Sequence, residues 1–378
     1  MAVRDPWFDN AKIALVTLVV VGHSWTLLPL SGTVGYLYDF LYAWHVPAFV
    51  LVTGYLSRGF TYTPERMWQL VRTVAVPYLV FECTIALFRV YVGGEELQDL
   101  FLDPHWPLWY LSALFFWRLV TPLFKALPGG YVVAVAVSIV AGLWAGDTFD
   151  LARICGLLPF FVLGLKATPE RLELLRSRPA QVAGAAVFVA IASFTWLVDR
   201  YAATEWLYYR ARYDELDVTD TRAFLIRAVL LVVGTAGALA FLALVPRIGG
   251  WFTRMGAATL VVYLFHGFAV KGADYAGFDD WGADHLGQGQ VITTGAALAL
   301  SFFLAWHPVS SRLTELVDPF GYAERHARHA VGVGMSVVAH EHHQTPVLHQ
   351  LVDRLVDERT EPALDQLAQQ LADEREKL

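Results

Sequence analysis

An apolar run from Ile13 to Leu30 carries a histidine, His23, in its interior. A run of this length is enough for a helix to cross the hydrocarbon core of a bilayer. At about 1.5 Å per residue, His23 lies roughly 16 Å beyond Lys12 on such a helix, near the predicted middle of the membrane. An ionisable side chain at that depth is costly, so it usually faces a protein-lined cavity and marks a functional site. The alternative is a polar group that only bonds a neighbouring helix.

The apolar character extends over most of the chain. Of its 378 residues, 56% are hydrophobic, and the mean hydropathy is +0.45. These values exclude an ordinary soluble domain and indicate an all-α integral membrane protein. Successive apolar segments predict about ten transmembrane helices: Ile13–Leu30, Tyr36–Ser57, Thr73–Val92, Pro107–Leu123, Tyr131–Gly146, Ala152–Leu165, Val182–Val198, Phe224–Val245, Leu260–Phe278 and Val291–Trp306. Lys and Arg are scattered over the loops, which argues against nucleic acid as a partner.

The distribution of Lys and Arg predicts the orientation. The N-terminus and the loops on its side of the membrane hold about twice as many of them as the opposite loops. We therefore expect a multi-pass protein of the plasma (inner) membrane with both termini in the cytoplasm. The loop Asp199–Arg222 is then extracytoplasmic.

The character of the chain changes near residue 312, where charged residues become frequent. We divide the chain into a transmembrane domain, residues 1–311, and a cytoplasmic C-terminal tail, residues 312–378. Between Pro346 and Leu371, apolar residues recur at helical spacing and predict an amphipathic helix that packs on the membrane domain or mediates self-association. The segment His340–His343 contains three histidines, but nothing else resembles a closed ligand set, so we expect no metal.

Three further ionisable residues fall at the predicted depth of His23, namely His45, Glu82 and His266. Four such groups at one depth on four helices predict a shared, central polar cavity. A buried carboxylate such as Glu82 could fix the tautomer of a histidine in that cavity. The sequence does not indicate which histidine it would contact.

Basic residues are predicted at the cytoplasmic mouth of this cavity. Lys12, Arg58, Arg66 and Arg72 offer positive charge to an anionic ligand such as a phosphate. The general excess of positive charge in cytoplasmic loops is the alternative explanation for these four. Arg118 lies inside the fourth predicted helix, where an unpaired guanidinium would be costly.

Five ordered motifs resemble the acyltransferase-three family of integral-membrane O-acyltransferases. They extend over most of the predicted transmembrane domain: Asp9–Lys12 followed by His23, Trp44–Tyr55, Arg72–Tyr78, Trp106–Leu111 and Gly256–His266. Two positions depart from the family pattern. Thr53 stands where serine is usual, and Gln69 stands where the first arginine of an Arg-x2-Arg pair is usual, so that Arg66 would substitute one turn earlier.

The resemblance implies transfer of an acyl group, usually acetyl, from cytoplasmic acetyl-CoA to a hydroxyl of a sugar or glycolipid within the envelope. In this interpretation His23 acts as general base or as a covalent acyl carrier, with Glu82 as a supporting carboxylate. The residues expected to bind the phosphates of CoA are Lys12, Arg66, Arg72 and Arg118. The residues expected near the acceptor are Asp39, His45, His105, Trp109 and His266.

Two other classes of protein remain open at this point. Ionisable groups in mid-membrane also suit a proton-coupled transporter or a flippase of a lipid-linked glycan, although no repeated halves are visible. A membrane anchor whose tail binds a partner leaves the mid-membrane histidines unexplained. The sequence does not specify the acceptor, the acyl chain length or the oligomeric state.

Overall fold

The computed structural model describes residues 5–97, 101–198 and 203–323, and within these ranges all regular elements are helical. The α-helices are α1 (Pro6–Trp25), α2 (Gly32–Tyr42), α3 (His45–Leu56), α4 (Pro64–Leu70), α5 (Val76–Tyr91), α6 (Trp109–Ala126), α7 (Gly130–Ala141), α8 (Leu151–Gly156), α9 (Leu158–Lys166), α10 (Pro169–Leu174), α11 (Arg178–Val198), α12 (Glu205–Tyr208), α13 (Asp220–Leu244), α14 (Trp251–Met255), α15 (Thr259–Tyr275), α16 (Phe278–Asp284), α17 (Leu286–Ala305) and α18 (His307–Val317).

Each of the ten predicted segments overlaps a helix, but fewer are clearly membrane-spanning. Among the described residues, five helical stretches are long and apolar enough to cross a bilayer: Gly32–Gly59, Pro64–Tyr91, Arg178–Leu197, Asp220–Leu244 and Leu286–Ala305. A sixth is obtained if α8 and α9, bent by 55° against each other, count as one span. The ten-span topology therefore remains a prediction.

Helix α1 begins and ends earlier than the apolar run predicts. Asp5 caps the helix, because its carboxylate accepts a hydrogen bond from Trp7 N at 3.0 Å, and Pro6 occupies the first helical position. The helix ends at Trp25, and the hydroxyl of Thr26 donates to the carbonyl of His23. His23 therefore lies in the last turn of α1, rather than in the middle of a helix that extends to Leu30.

Helix α1 packs in the interior of the protein, against α3, α15 and α17. Its side chains are buried on several faces, since Ile13, Leu15, Val16 and Val20 are all inaccessible to solvent. A helix that is apolar all round is typical of the inside of a bundle. By contrast, α11 exposes Val182, Val189 and other large apolar residues on its outer face.

Helices α3 and α9 approach each other closely through a pair of glycines. A Cβ atom on Gly54 would lie 2.0 Å from the carbonyl oxygen of Phe161, and one on Gly164 would lie 1.9 Å from that of Leu51. Small residues allow such close backbone contact between membrane helices. This contact fixes α3, whose first turns form one wall of the site described below.

A π-helical turn, Val71–Ala75, joins α4 and α5 into one continuous helix from Pro64 to Tyr91. Arg72 lies in this turn, and Arg89 lies in the last turn of α5. At 1.5 Å per residue, these two arginines are separated by about 25 Å along the helix. The continuous helix thus presents cations at both of its ends.

The chain up to Asp318 forms one compact unit, and Pro319–Leu378 form a second. Of the second unit, the structure describes residues 319–323. The predicted amphipathic helix between Pro346 and Leu371 and the histidine-rich segment lie outside the described residues.

Candidate active site

His23 lines a cavity of about 490 Å³, which we call the His23 cavity. Its walls come from α1, α2, α3, α6, α15 and the segments around residues 106 and 208. Aromatic rings form much of the lining, and the ring of Trp106 packs against His23 with 4.5 Å between centroids. The size falls within the range of roughly 300–1,000 Å³ that is typical of small-molecule sites.

The hydrogen bonds of His266 determine the tautomer of His23. Nδ1 of His266 lies 2.6 Å from the carbonyl oxygen of Tyr263, which can only accept, so this nitrogen carries the ring proton. In neutral His266 the other nitrogen, Nε2, is then an acceptor, and it lies 2.8 Å from Nδ1 of His23. His23 Nδ1 is therefore the donor, and His23 Nε2 keeps its lone pair. His23 lines the cavity, whereas His266 is fully buried behind it.

A second hydrogen-bonded pair, formed by a carboxylate and a histidine, lies nearby. We refer to it and to the His23–His266 pair as the two histidine pairs. Glu82 is fully buried on α5, and its carboxylate accepts hydrogen bonds from Nδ1 and from the backbone N–H of His105. Glu82 thus holds a histidine, as its predicted role required, but that histidine is His105 and not His23. Because His105 lies outside the apolar segments, helical spacing gave no indication of this pairing.

His105 lines a smaller cavity of about 250 Å³, which we call the His105 cavity. The two cavities adjoin, since they share four lining residues: Arg89, Trp106, Arg153 and Arg210. Three of these four residues are arginines that line both cavities, and we call them the arginine collar. None of the three was among the predicted site residues.

Arg153 could have been recognised from the sequence. It lies within the predicted apolar segment Ala152–Leu165, where an unpaired guanidinium would be costly. In the structure it lies on α8, the short half of the bent helix pair, and its guanidinium packs over the ring of Trp109 at 4.9 Å. Asp150 accepts a hydrogen bond of 2.6 Å from its Nη1 atom. The predicted acceptor residue Trp109 therefore lies in the cavity wall, beneath this arginine.

Comparison with known proteins identifies the class of this site. A family model described as an acyltransferase domain matches residues 5–308. The chain belongs to the acyltransferase-three family. The match includes both histidine pairs and the arginine collar, so the site lies wholly within the acyltransferase domain.

One curated relative of this acyltransferase is the nodulation protein NolL of Mesorhizobium japonicum. The two sequences are 28% identical over 180 residues, which is 43% of this chain and 47% of the relative. The match therefore spans about half the length of that relative. No solved structure matches the chain significantly. The family and the apolar helices together make this protein a membrane acyltransferase.

Of the five predicted acceptor residues, Trp109 alone lines the His23 cavity, since His266 is buried behind it and His105 lines the adjoining cavity. The other two, His45 and Asp39, lie elsewhere in this acyltransferase. Nδ1 of His45 donates to the carbonyl of Leu41 at 2.8 Å, and the ring is fully buried within the helices. Its neighbours on α3, Val46 and Phe49, line the cavity instead. Asp39 lines another, mainly apolar cavity of about 280 Å³ between α2, α11 and α13.

The predicted donor residues also lie away from the His23 cavity. Lys12 pairs with Asp9 at 2.8 Å, and Arg72 lies 3.4 Å from Asp318. Arg66 donates to Gln69 on the exposed face of α4. Arg118 lies on α6 and makes no hydrogen bond to the residues that the structure describes. None of the four lines the His23 cavity, and the structure leaves their predicted role in donor binding untested.

Proposed function

We propose that this membrane acyltransferase moves an acetyl group from acetyl-CoA to a hydroxyl of a sugar or glycolipid, with His23 as the general base. The observation that carries the proposal is the Nε2 lone pair of His23. It has no hydrogen-bond partner among the described residues, and the ring lines a cavity large enough for a sugar. The family membership favours this function over transport.

The proposed reaction needs a base because a hydroxyl is a weak nucleophile. His23 Nε2 takes the proton of the acceptor hydroxyl while its oxygen attacks the carbonyl carbon of the thioester. The imidazolium that forms is held by His266 Nε2 through the existing 2.8 Å hydrogen bond. When the tetrahedral intermediate collapses, the carbon–sulfur bond breaks, and the proton passes from His23 to the leaving thiolate. The products are the ester and free CoA.

The spacing of two arginines on one helix supports an arrangement with donor and acceptor at opposite ends of the site. On the continuous helix Pro64–Tyr91, Arg72 lies in the interior π-helical turn and Arg89 in the last turn, about 25 Å apart at 1.5 Å per residue. This separation approaches the thickness of the hydrocarbon core, about 30 Å. In the proposal, the phosphates of CoA bind near Lys12 and Arg72 on the cytoplasmic side, and the acceptor enters beside Arg89.

The decisive assay uses purified protein in lipid nanodiscs with acetyl-CoA that is radiolabelled in the acetyl group. A panel of oligosaccharides and glycolipids serves as acceptors, and palmitoyl-CoA serves as the alternative donor. We expect label in the acceptor as an alkali-labile ester, with one free CoA thiol per ester. If esters form only with palmitoyl-CoA, the transferred group is a long acyl chain and not acetyl. If no donor yields an ester, but reconstituted protein moves a glycolipid under a proton gradient, the transferase proposal is wrong.

The orientation can be tested separately by cysteine labelling in intact cells after Cys83 and Cys155 have been replaced. We expect Asp214→Cys, in the segment between α12 and α13, to react with an impermeant maleimide. Arg66→Cys, on the exposed face of α4, should react only after permeabilisation. The reverse pattern would place the CoA site on the wrong side of the membrane and would contradict the proposal.

A further inference from the structure

Each of the three guanidinium groups of the arginine collar is bound by a carboxylate that lines neither cavity. Arg89 donates from Nε to Glu95 at 2.7 Å, and Arg153 donates from Nη1 to Asp150 at 2.6 Å. The third member, Arg210, donates from Nε to Asp147 at 3.0 Å. These three carboxylates do not line either cavity.

Among the described residues, each collar arginine keeps one terminal nitrogen without a hydrogen bond. Arg89 uses Nε and Nη2 for Glu95, which leaves Nη1. Arg153 uses Nη1 for Asp150 and Nε for the carbonyl of Tyr208, which leaves Nη2.

Arg210 follows the same pattern, since its Nε and Nη2 are bound to Asp147 and its Nη2 also to Asp103. Its Nη1 is left. The three arginines that line both cavities therefore each carry one guanidinium nitrogen with no partner in the described part of the chain.

The walls of the two cavities carry charges of both signs. The His23 cavity is lined by four cations, the collar and Lys271, and by one carboxylate, Asp274, which pairs with Lys271. The His105 cavity adds two carboxylates, Glu96 and Asp103, and each collar arginine has a carboxylate partner of its own. The collar therefore offers an anion its unbonded guanidinium N–H groups rather than an excess of positive charge.

We propose that the arginine collar binds an oxyanion, a carboxylate or a phosphate, that belongs to the acyl acceptor. This proposal rests on the proposed function and names the class of its second substrate, an acidic sugar or a sugar phosphate. The fork of a guanidinium matches the oxygens of either group, and fixing the arginines in advance reduces the entropy lost on binding. The hydroxyl of the same acceptor then reaches Nε2 of His23.

The position of the collar makes the acceptor, rather than CoA, its ligand. Arg89 lies about 25 Å along the helix from Arg72, at the end opposite to the predicted donor residues. His23 likewise lies in the last turn of α1, whereas Lys12 lies near its beginning, about 16 Å away.

The test compares matched acceptors: methyl glucoside, methyl glucuronide and glucose 1-phosphate. Binding is followed by saturation-transfer NMR on the full chain in nanodiscs without donor, and transfer is followed with labelled acetyl-CoA. We expect the two anionic acceptors to bind at least tenfold more tightly than methyl glucoside. A preference between glucuronide and sugar phosphate identifies which oxyanion the collar accepts.

Arg153→Gln should reduce the preference for anionic over neutral acceptors about 10- to 100-fold, the effect of losing one charge-assisted hydrogen bond. Arg153→Lys keeps the charge but loses the paired N–H donors of the guanidinium, so it should retain part of the preference. This variant also controls for a loss of preference that is caused by misfolding. Arg212→Gln is the matched control, because Arg212 is exposed, pairs with Asp214 and lines neither cavity.

Three results would overturn the collar proposal. The first is equal binding of neutral and anionic acceptors, and the second is an unchanged preference in Arg153→Gln. The third is a rise in the KM of Arg153→Gln for acetyl-CoA while its KM for the acceptor stays unchanged. The binding arm is independent of catalysis. If anionic acceptors bind through Arg153 but no ester forms with any donor, the collar stands and the transferase proposal fails.

Discussion

The ring of Trp106 packs against one histidine pair, His23–His266, and the other pair, Glu82–His105, includes the residue before it in the chain. The two pairs differ in the group that holds the histidine. His23 bonds to another imidazole, His266, whose second nitrogen donates to a backbone carbonyl. His105 bonds directly to the buried carboxylate of Glu82. A carboxylate can offset the charge of an imidazolium, whereas a neutral histidine offers only a lone pair. The pairs therefore differ in what they leave available: the first leaves the Nε2 lone pair of His23 at the cavity wall, and the second places a buried carboxylate on Nδ1 of His105.

The largest expected effect follows from removing the base. His23→Ala should reduce turnover by about 10²–10⁴-fold, the usual contribution of a general base. The affinity for acetyl-CoA should change little, because the predicted donor residues are distant from the His23 cavity. Steady-state kinetics on His23→Ala and His105→Ala measure the contrast. If His105→Ala is inactive and His23→Ala is not, the roles of the two pairs are reversed.

His266 should have the next largest effect, as a positioning residue. His266→Leu removes the acceptor for His23 Nδ1, and the lost hydrogen bond in a buried site should lower kcat about 10- to 100-fold. The oxygen of a glutamine side chain could replace Nε2 as acceptor, so His266→Gln should recover part of the activity. Equal losses in both variants would show that His266 only fills space.

Glu82→Gln should have a smaller effect on chemistry and a visible effect on stability. The amide oxygen can still accept from His105, but the negative charge of the carboxylate and one of its acceptor oxygens are lost. We expect kcat/KM for the acceptor to fall by about tenfold, with a lower Tm. Glu205→Gln, an exposed change on α12, is the matched control. A loss as large as that of His23→Ala would make the Glu82–His105 pair part of the proton transfer.

The smallest effect is expected at Glu95, which touches neither histidine pair. Burial alone would raise the pKa of Glu95, but hydrogen bonds from Arg89 and Tyr275 and the charge of Lys271 outweigh it and lower the pKa to about 2. Glu95→Gln should reduce the Tm by about 1–3 °C at pH 7, since ion pairs that are only partly buried contribute little.

The Tm difference between wild type and Glu95→Gln should depend on pH in a direction that the lowered pKa determines. A carboxylate with a depressed pKa stabilises the folded state above its unfolded pKa, about 4.5, and loses this contribution as the pH falls toward 2. The Tm difference between wild type and Glu95→Gln should therefore be constant from pH 7 to pH 5 and narrow below that. A difference that already narrows between pH 7 and pH 6 would exclude Glu95 as its source.

The comparison also shows how far the sequence predicts the site. Helical spacing placed His23 and His266 at a common depth, and the structure brings their rings into contact. It also placed His45 there, but depth says nothing about direction, and His45 is not part of the cavity wall. The direction of a side chain depends on how its helix is rotated in the bundle, which tertiary packing determines.

Contacts that involve loops cannot be predicted from helical spacing. The partner of Glu82 lies 23 residues further along the chain, in a segment without helical periodicity. The collar arginines come from α5, α8 and the segment after α12, and no local pattern connects them. Arg89 and Arg153 each carried a signal of their own, as a charge within a predicted apolar segment, whereas Arg210 carried none. The bounds of α1 were also missed, because Asp5 and Pro6 determine its start more strongly than the apolar run does.

The π-helical turn at Val71–Ala75 has a consequence for insertions and deletions. Such a turn accommodates one residue more than an α-helical turn, so deleting a residue there would restore a regular helix and leave α4 and α5 facing their present neighbours. Deleting a residue within α5, between Ala75 and Glu82, would instead rotate Glu82 by about 100° away from His105. We therefore expect length variation in this long helix to be tolerated at the π-helical turn and almost nowhere else along it.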